Sequence, residues 1–98
     1  MKKIMINDVE YEIIKDYKNA FNYEELKEKI TDYFDDFDYI LGDYSYDKLR
    51  LKGFCNKQNK NLNEINDYEN IDEHIKNYCS YECSYFIIEN IEKITKKD

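Results

Sequence analysis

Alternating apolar and polar residues at the start of the chain predict a β-hairpin. The segments "KIMI" and "VEYEII" flank Asn7 and Asp8, two residues that tolerate the backbone of a tight turn. A two-residue turn at this point would place Ile6 opposite Val9. In the second segment apolar residues alternate with glutamates, so we expect one face of this strand to be buried and the other solvated.

A helical period follows and predicts a helix over residues 23–36. Asn22 and Glu25, three residues apart, have the spacing of a capping box at the start of a helix. The acidic run at residues 35–38 should weaken the other end, because negative charge there opposes the helix dipole. The apolar residues that recur at helical spacing form one stripe: Leu26, Ile30, Tyr33, Phe34 and Phe37.

A second hairpin is predicted in the middle of the chain. The segments "DYILGDY" and "KLRLKGF" flank a turn near Ser45 to Asp47. Gly53 suggests a β-bulge in the second of these strands, and Gly42 suggests a backbone bend or a close approach in the first. The polar, aperiodic residues 56–69 predict a flexible loop after the hairpin.

The last third of the chain predicts a short second helix, which begins near Asn70, and a final strand, "CSYFIIEN". Adjacent apolar residues at positions 85–88 indicate that both faces of this strand are covered, as in the centre of a sheet. Residues 94–98 should fray. The order ββαββαβ therefore predicts one α+β domain over residues 1–98, with a mostly antiparallel sheet packed by two helices.

Composition supports a folded core and argues against two kinds of partner. Hydrophobic residues make up 42% and aromatic residues 16% of the 98 residues, which is enough for one domain. The net charge of −7 disfavours nucleic acid and anionic membranes, since both attract cationic proteins. No apolar run has the length of a membrane span or a signal peptide, so we expect a cytosolic protein with reduced cysteines.

Two blocks of sequence resemble the YutD-like family of small cytosolic proteins from low-GC Gram-positive bacteria. "FDYILGDYSYDKLRLKGF", residues 37–54, is similar to the family pattern "YDYIVGDWGYGQLRLKGF". "YCSYECSYFII", residues 78–88, is similar to the family pattern "YCNFGCAYFVL". Tyr44 stands where the family has tryptophan. The resemblance covers residues 10–90 and implies an α+β fold and a cytosolic location, but no particular reaction.

The strongest candidate site is the strand that carries the only arginine of the chain. Lys48, Arg50 and Lys52 alternate with leucines, so the three cations share one face of a strand. They either pair with carboxylates such as Asp43 across the hairpin, or form an anion site in which the guanidinium grips a carboxylate or a phosphate. Together with Asp43 and Tyr44, these cations are the predicted partner-binding residues.

Cys79 and Cys83 form the competing candidate, a thiol-redox or zinc site. Their spacing is C-x-x-x-C, whereas zinc knuckles and redox motifs commonly use C-x-x-C. Cys55 and His74 would complete a set of four ligands, and the alternative is that the thiols are buried as small apolar groups. His74 itself is expected on the surface of the second helix.

No catalytic motif is present in the sequence. With two glycines the chain has no phosphate-binding loop, and no nucleophile is marked as a partner for His74. We therefore expect a non-enzymatic cytosolic module, without a cofactor, that recognises a protein or a small anionic ligand through the strand around Arg50. Zinc at the cysteines and contact with RNA or the ribosome are the alternatives. Replacing Arg50 with alanine should then abolish partner binding and leave the melting temperature unchanged.

Overall fold

The computed structural model describes residues 2–45, 47–78 and 83–92. Within these residues, five strands and two α-helices follow one another in the order that the sequence predicts. The elements are β1 (Lys2–Ile6), β2 (Val9–Tyr17), α1 (Tyr23–Lys29), β3 (Tyr39–Ser45), β4 (Lys48–Phe54), α2 (Ile71–Tyr78) and β5 (Tyr85–Asn90), with short 3₁₀ helices at Asp32–Asp36 and Tyr68–Asn70. The α+β class is therefore confirmed, whereas the tail at 94–98 lies outside the described residues. Within those residues, none of the helices has the length and apolar character that crossing a bilayer requires.

The strands form one antiparallel sheet in the order β1-β2-β5-β3-β4. β5 lies at the centre, between β2 and β3, as its adjacent apolar residues predict, and Phe86, Ile87 and Ile88 are all buried. β1 and β4 form the two edges of the sheet. Among the described residues, the cationic strand β4 therefore has a strand neighbour on one side only, which is β3.

The first hairpin has the turn and the register that its sequence predicts. Asn7 and Asp8 both have positive φ, 51° and 67°, as required by the two-residue turns that match the twist of the strands. Ile6 pairs with Val9. The apolar residues of β2 consequently face the main core, where Tyr11 is 1% exposed.

The prediction of a helix over residues 23–36 is wrong for the second half of this range. Asn22 caps α1 by accepting a 3.1 Å hydrogen bond from the Glu25 N–H, but α1 ends before Ile30. Ile30 and Thr31 are β-branched and extended, and a separate 3₁₀ helix follows them. Because of the break the acidic run no longer follows the end of α1 and does not oppose its dipole: Asp35 and Asp36 end the separate 3₁₀ helix, and Asp38 lies just before β3.

Each face of the sheet has its own apolar core. On one face, which we call the α1 side, α1 and the first 3₁₀ helix pack against the sheet through residues that include Leu26, Phe34 and Ile88. On the other face, the α2 side, there is a smaller cluster: Leu41, Phe54, Ile71 and Ile87. Because this cluster is small, part of the α2-side surface of β3 and β4 carries polar and charged side chains instead.

Both glycines lie on the α1 side, where they make room for aromatic rings. β3 and β4 pair without a register shift over their whole length, so the bulge predicted at Gly53 does not exist. The Phe37 ring occupies the place where a Cβ of Gly53 would stand, and the Phe86 ring lies in the same way over Gly42. Close approach of a ring therefore explains the glycine at each position.

Gly42→Ala should destabilise the protein by about 1–3 kcal/mol, the usual effect of overpacking a core. The added Cβ would overlap the Phe86 ring, which is fully buried and has no room to withdraw. Chemical denaturation followed by circular dichroism measures the loss. Combining Gly42→Ala with Phe86→Leu should recover part of it, and a single variant as stable as the parent would contradict the packing described.

Candidate functional site

The cations of β4 lie on the α2 side of the sheet. Leu49 packs in the α1-side core at 5% exposure, while its neighbours Lys48 and Arg50 are exposed. Because side chains alternate along a strand, Lys48, Arg50 and Lys52 share the face opposite to that of Leu49. The structure thus brings the three predicted cations onto one face of one extended strand.

Arg50 and Asp43 form a bidentate ion pair across the β3–β4 hairpin. Arg50 Nε and Nη2 donate to the two carboxylate oxygens of Asp43 over 3.0 and 2.9 Å. The Asp43 side chain is only 8% exposed, whereas 49% of the Arg50 side chain is accessible. Hydrogen bonding to Asp43 raises the pKa of Arg50. The pair therefore fixes the guanidinium while leaving about half of the side chain in contact with solvent.

Two adjoining cavities lie between β4 and α2. The smaller cavity, 190 Å³, lies over the Arg50–Asp43 pair beside Lys52 and His74. The larger cavity, 500 Å³, extends past Phe54 to the loop that precedes α2. The two cavities share Lys52 and His74, and we call them together the β4–α2 groove.

Lys52 stands where the two cavities meet. Its Nζ lies 5.2 Å from the centroid of the Phe54 ring, in a cation–π contact. Within the described residues, no carboxylate forms an ion pair with this ammonium group. Its positive charge is therefore open to a ligand that enters the groove.

His74 forms the wall of the groove that belongs to α2. Its ring meets the Phe54 ring edge-on, with the ring centroids 5.4 Å apart, so it is partly buried rather than on the surface as predicted. Burial lowers the pKa of His74 below its ordinary 6.5, and the charges of Lys52 and Arg50 lower it further against an opposing effect of Asp43. The imidazole is consequently mostly neutral at pH 7.

The loop over residues 56–67 supplies the far wall of the groove and is held by Asp38. This buried carboxylate accepts hydrogen bonds from the Asn56 N–H at 2.8 Å and from the Asn59 side-chain amide at 3.0 Å. Ile65, in the same loop, is 75% exposed. The loop therefore presents an apolar side chain at the rim of the larger cavity.

Tyr44 does not share the face of the cations. It stands opposite Leu49 and lies on the α1 side, where its hydroxyl donates a 2.9 Å hydrogen bond to Glu25. Burial and this hydrogen bond raise the pKa of Tyr44 to about 12. The group predicted around Arg50 therefore includes Asp43 but not Tyr44, because successive residues of a strand point to opposite faces.

The cysteines are divided between two environments. Cys55 is buried and forms no disulfide, whereas Cys83 is disulfide-bonded, so the expectation of reduced cysteines is wrong for Cys83. Cys79 lies outside the described residues. Within them, no three His, Cys, Asp or Glu side chains come together as metal ligands would. Zinc or thiol chemistry at Cys79 and Cys83 stays a prediction.

Sequence reasoning does not identify Phe54, Ile65 and His74 as walls of the groove, which Leu41, Leu51, Glu64, Asn70 and Glu73 also line. These residues belong to a strand, a loop and a helix, so no motif links them. The one usable signal is the regular pleat of β4, which puts Phe54 on the same face as Lys52.

Relatives of known sequence and structure match nearly the whole chain. A family model described as "Putative antitoxin YutD-like" matches residues 5–89. A Bacillus subtilis (strain 168) protein with the name "Putative antitoxin YutD" is 38% identical over 90 residues, which make up 92% of this chain and 99% of that protein. The solution NMR structure of the yutD protein from B. subtilis has a TM-score of 0.75 and 36% identity, over 91% of this chain and 81% of that one.

Arg50→Ala should lower the free energy of unfolding by about 1–3 kcal/mol, because it leaves the buried Asp43 carboxylate without its partner. The sequence alone predicts an unchanged melting temperature for this variant, whereas the ion pair predicts a lower one. Adding Asp43→Asn removes the orphaned charge and should restore part of the stability. Thermal unfolding of both variants measures these effects, with Lys48→Ala at an exposed position of β4 as the control. If Arg50→Ala has the same melting temperature as the parent, the ion pair contributes nothing to the stability of the fold.

Proposed function

This chain belongs to the YutD-like family, and we propose that it is a non-enzymatic module that binds a protein partner through the α2 side of β4. One observation carries the proposal: Asp43 holds Arg50 in a fixed orientation while about half of the Arg50 side chain faces solvent. Lys52 adds a second cation beside it in the groove. A partner would meet this surface with carboxylates, the groups that a guanidinium binds best.

The names of the relatives suggest what kind of protein the partner is. Both the matching family and the B. subtilis protein carry the word "antitoxin" in their names. We extend this word to the chain by proposing that its partner is a toxin protein, which it neutralises by binding. Binding of this kind gains affinity from a surface that is already ordered in the free protein. The Arg50–Asp43 pair and the packed Phe54 and His74 rings provide such order.

Charge and shape favour a protein segment over nucleic acid at this site. The net charge of −7 repels a long polyanion from most of the molecule, whereas a single acidic segment of a protein needs only the local cations. In the larger cavity Phe54 and Ile65 add apolar surface beside Lys52, and Glu64 and Glu73 line the same cavity. An apolar side chain of the partner matches the larger cavity, and a carboxylate matches the smaller cavity beside Arg50 and Lys52.

Lys52→Gln should weaken binding of the captured partner about tenfold, because it removes one cation of the groove and leaves the packing of β4 intact. The partner is captured from native cell lysate on the immobilised protein, identified by mass spectrometry and then titrated in purified form. Lys3→Gln makes the same change in net charge on β1, at the opposite edge of the sheet, and should bind like the parent.

Two results would contradict this proposal. Equal weakening by Lys52→Gln and Lys3→Gln would mean that net charge, rather than the groove, governs binding. Capture of RNA in place of a protein, with an affinity that falls steeply as salt rises, would favour a nucleic-acid function instead.

A further inference from the structure

A separate cavity of 190 Å³ lies on the α1 side of the sheet, where the turn after β1 meets the first 3₁₀ helix. Two extended residues, Ile30 and Thr31, separate that helix from α1 and line the cavity. Ile6 and Ile30 are buried and give the cavity an apolar wall. We call this space the Asp35 cavity, and it shares no lining residue with the β4–α2 groove.

Two carboxylates line the Asp35 cavity. Asp32 and Asp35 are three residues apart in a 3₁₀ helix, which has three residues per turn, so they lie one above the other on the same side of this helix. Among the described residues, no lysine, arginine or histidine forms an ion pair with either carboxylate. Both residues are exposed, so a solute can reach them from solvent. Like charges one turn apart repel each other, and a cation bound between them would relieve this repulsion.

A hydroxyl group on a buried side chain opens to the same cavity. Tyr11 is 1% exposed, and within the described residues its hydroxyl has no hydrogen-bond partner. Every fully enclosed side-chain oxygen or nitrogen of these residues does have a partner, so the Tyr11 oxygen is not fully enclosed. Since Tyr11 lines the Asp35 cavity, its oxygen is accessible from there. Burial, and then the charges of Asp35 and Glu92, raise the pKa of Tyr11 to about 12, which agrees with a hydroxyl that lies near the Asp35 carboxylate.

The lining of the cavity fits a cation that carries a short apolar chain. A volume of 190 Å³ is several times the share of one water molecule in the liquid, about 30 Å³, so a bare metal ion would fill little of it. A primary ammonium group has three N–H donors, and the two carboxylates and the Tyr11 hydroxyl offer three acceptors. The methylene groups of the same ion would lie against the isoleucine wall, where their burial is favourable.

We propose that the Asp35 cavity binds a primary alkylammonium ion. The ammonium group lies between Asp32, Asp35 and the Tyr11 hydroxyl, and the alkyl chain lies against Ile6 and Ile30. Free aliphatic amines and the lysine side chains of proteins share this chemistry, and the test below separates the two sources. The site is independent of the β4–α2 groove, so it stands or falls apart from the function proposed above.

The test titrates n-butylamine into the full chain at pH 7 and constant ionic strength, and follows the backbone amide signals of Asp32 and Asp35 by NMR. An alkylamine is protonated at this pH, as a lysine side chain is, with an ordinary pKa of about 10.4. We expect a dissociation constant of about 1 mM, which lies within the range that a ligand of five heavy atoms can reach. n-Butanol has the same chain without the charge and should bind at least about tenfold more weakly.

Three variants separate the cavity from the general negative charge of the protein. Asp35→Asn removes a charged acceptor and should weaken binding of n-butylamine about tenfold. Asp36→Asn makes the same change in net charge at the next residue, which is exposed and does not line the cavity, and should bind like the parent. Tyr11→Phe removes the hydroxyl and keeps the ring in the core, and should weaken binding about fivefold. The amide spectrum of each variant shows that it is folded.

A lysine derivative, Nα-acetyl-lysine methylamide, identifies the source of the ammonium group. If it binds at least as well as n-butylamine, the natural ligand is a lysine side chain of a protein, and if only n-butylamine binds, the ligand is a small free amine. Four results would overturn the proposal: no binding of either amine at about 10 mM, binding of n-butanol equal to that of n-butylamine, equal effects of Asp35→Asn and Asp36→Asn, or tighter binding of Mg²⁺ or Ca²⁺ than of either amine at the same amides.

Discussion

The proposed binding surface depends on the bidentate pair between Arg50 and Asp43. A lone arginine on a sheet face samples many rotamers and lays its stem over nearby apolar surface. Here both carboxylate oxygens receive a donor, so the guanidinium has one orientation, and the desolvation of Asp43 is offset by the two hydrogen bonds. Since the pair also ties β3 to β4, the same contact orders the hairpin and presents the cation.

In the proposed function, an acidic protein thus uses a local group of cations to bind acidic groups of its partner. The cations of β4 share a face because β4 is a regular strand, and α2 with its preceding loop adds His74 and Ile65 around them. The whole molecule has a net charge of −7, which disfavours the approach of a long polyanion. Fold and charge together therefore fit the proposed protein partner better than a nucleic acid.

Features that depend on neighbouring residues can be predicted from the sequence. Features that depend on contacts between distant parts of the chain cannot. The turn at Asn7 and Asp8 and the shared face of the β4 cations are consequences of residue type and of period two. The break at Ile30 is not visible, because the apolar stripe continues through the 3₁₀ helix at nearly the same spacing. Tyr44 is assigned to the wrong face because it is adjacent in sequence to Asp43, and His74 joins the groove only when α2 packs on the sheet.

The most direct measurement is carbodiimide cross-linking of the purified complex, which joins an ammonium group to a carboxylate in contact with it. Mass spectrometry then identifies the lysine that took part. We expect a cross-link between Lys52 and an aspartate or glutamate of the partner, since this ammonium group lies open in the β4–α2 groove. Cross-links confined to Lys2 and Lys3, on the opposite edge of the sheet, would contradict a partner site on β4.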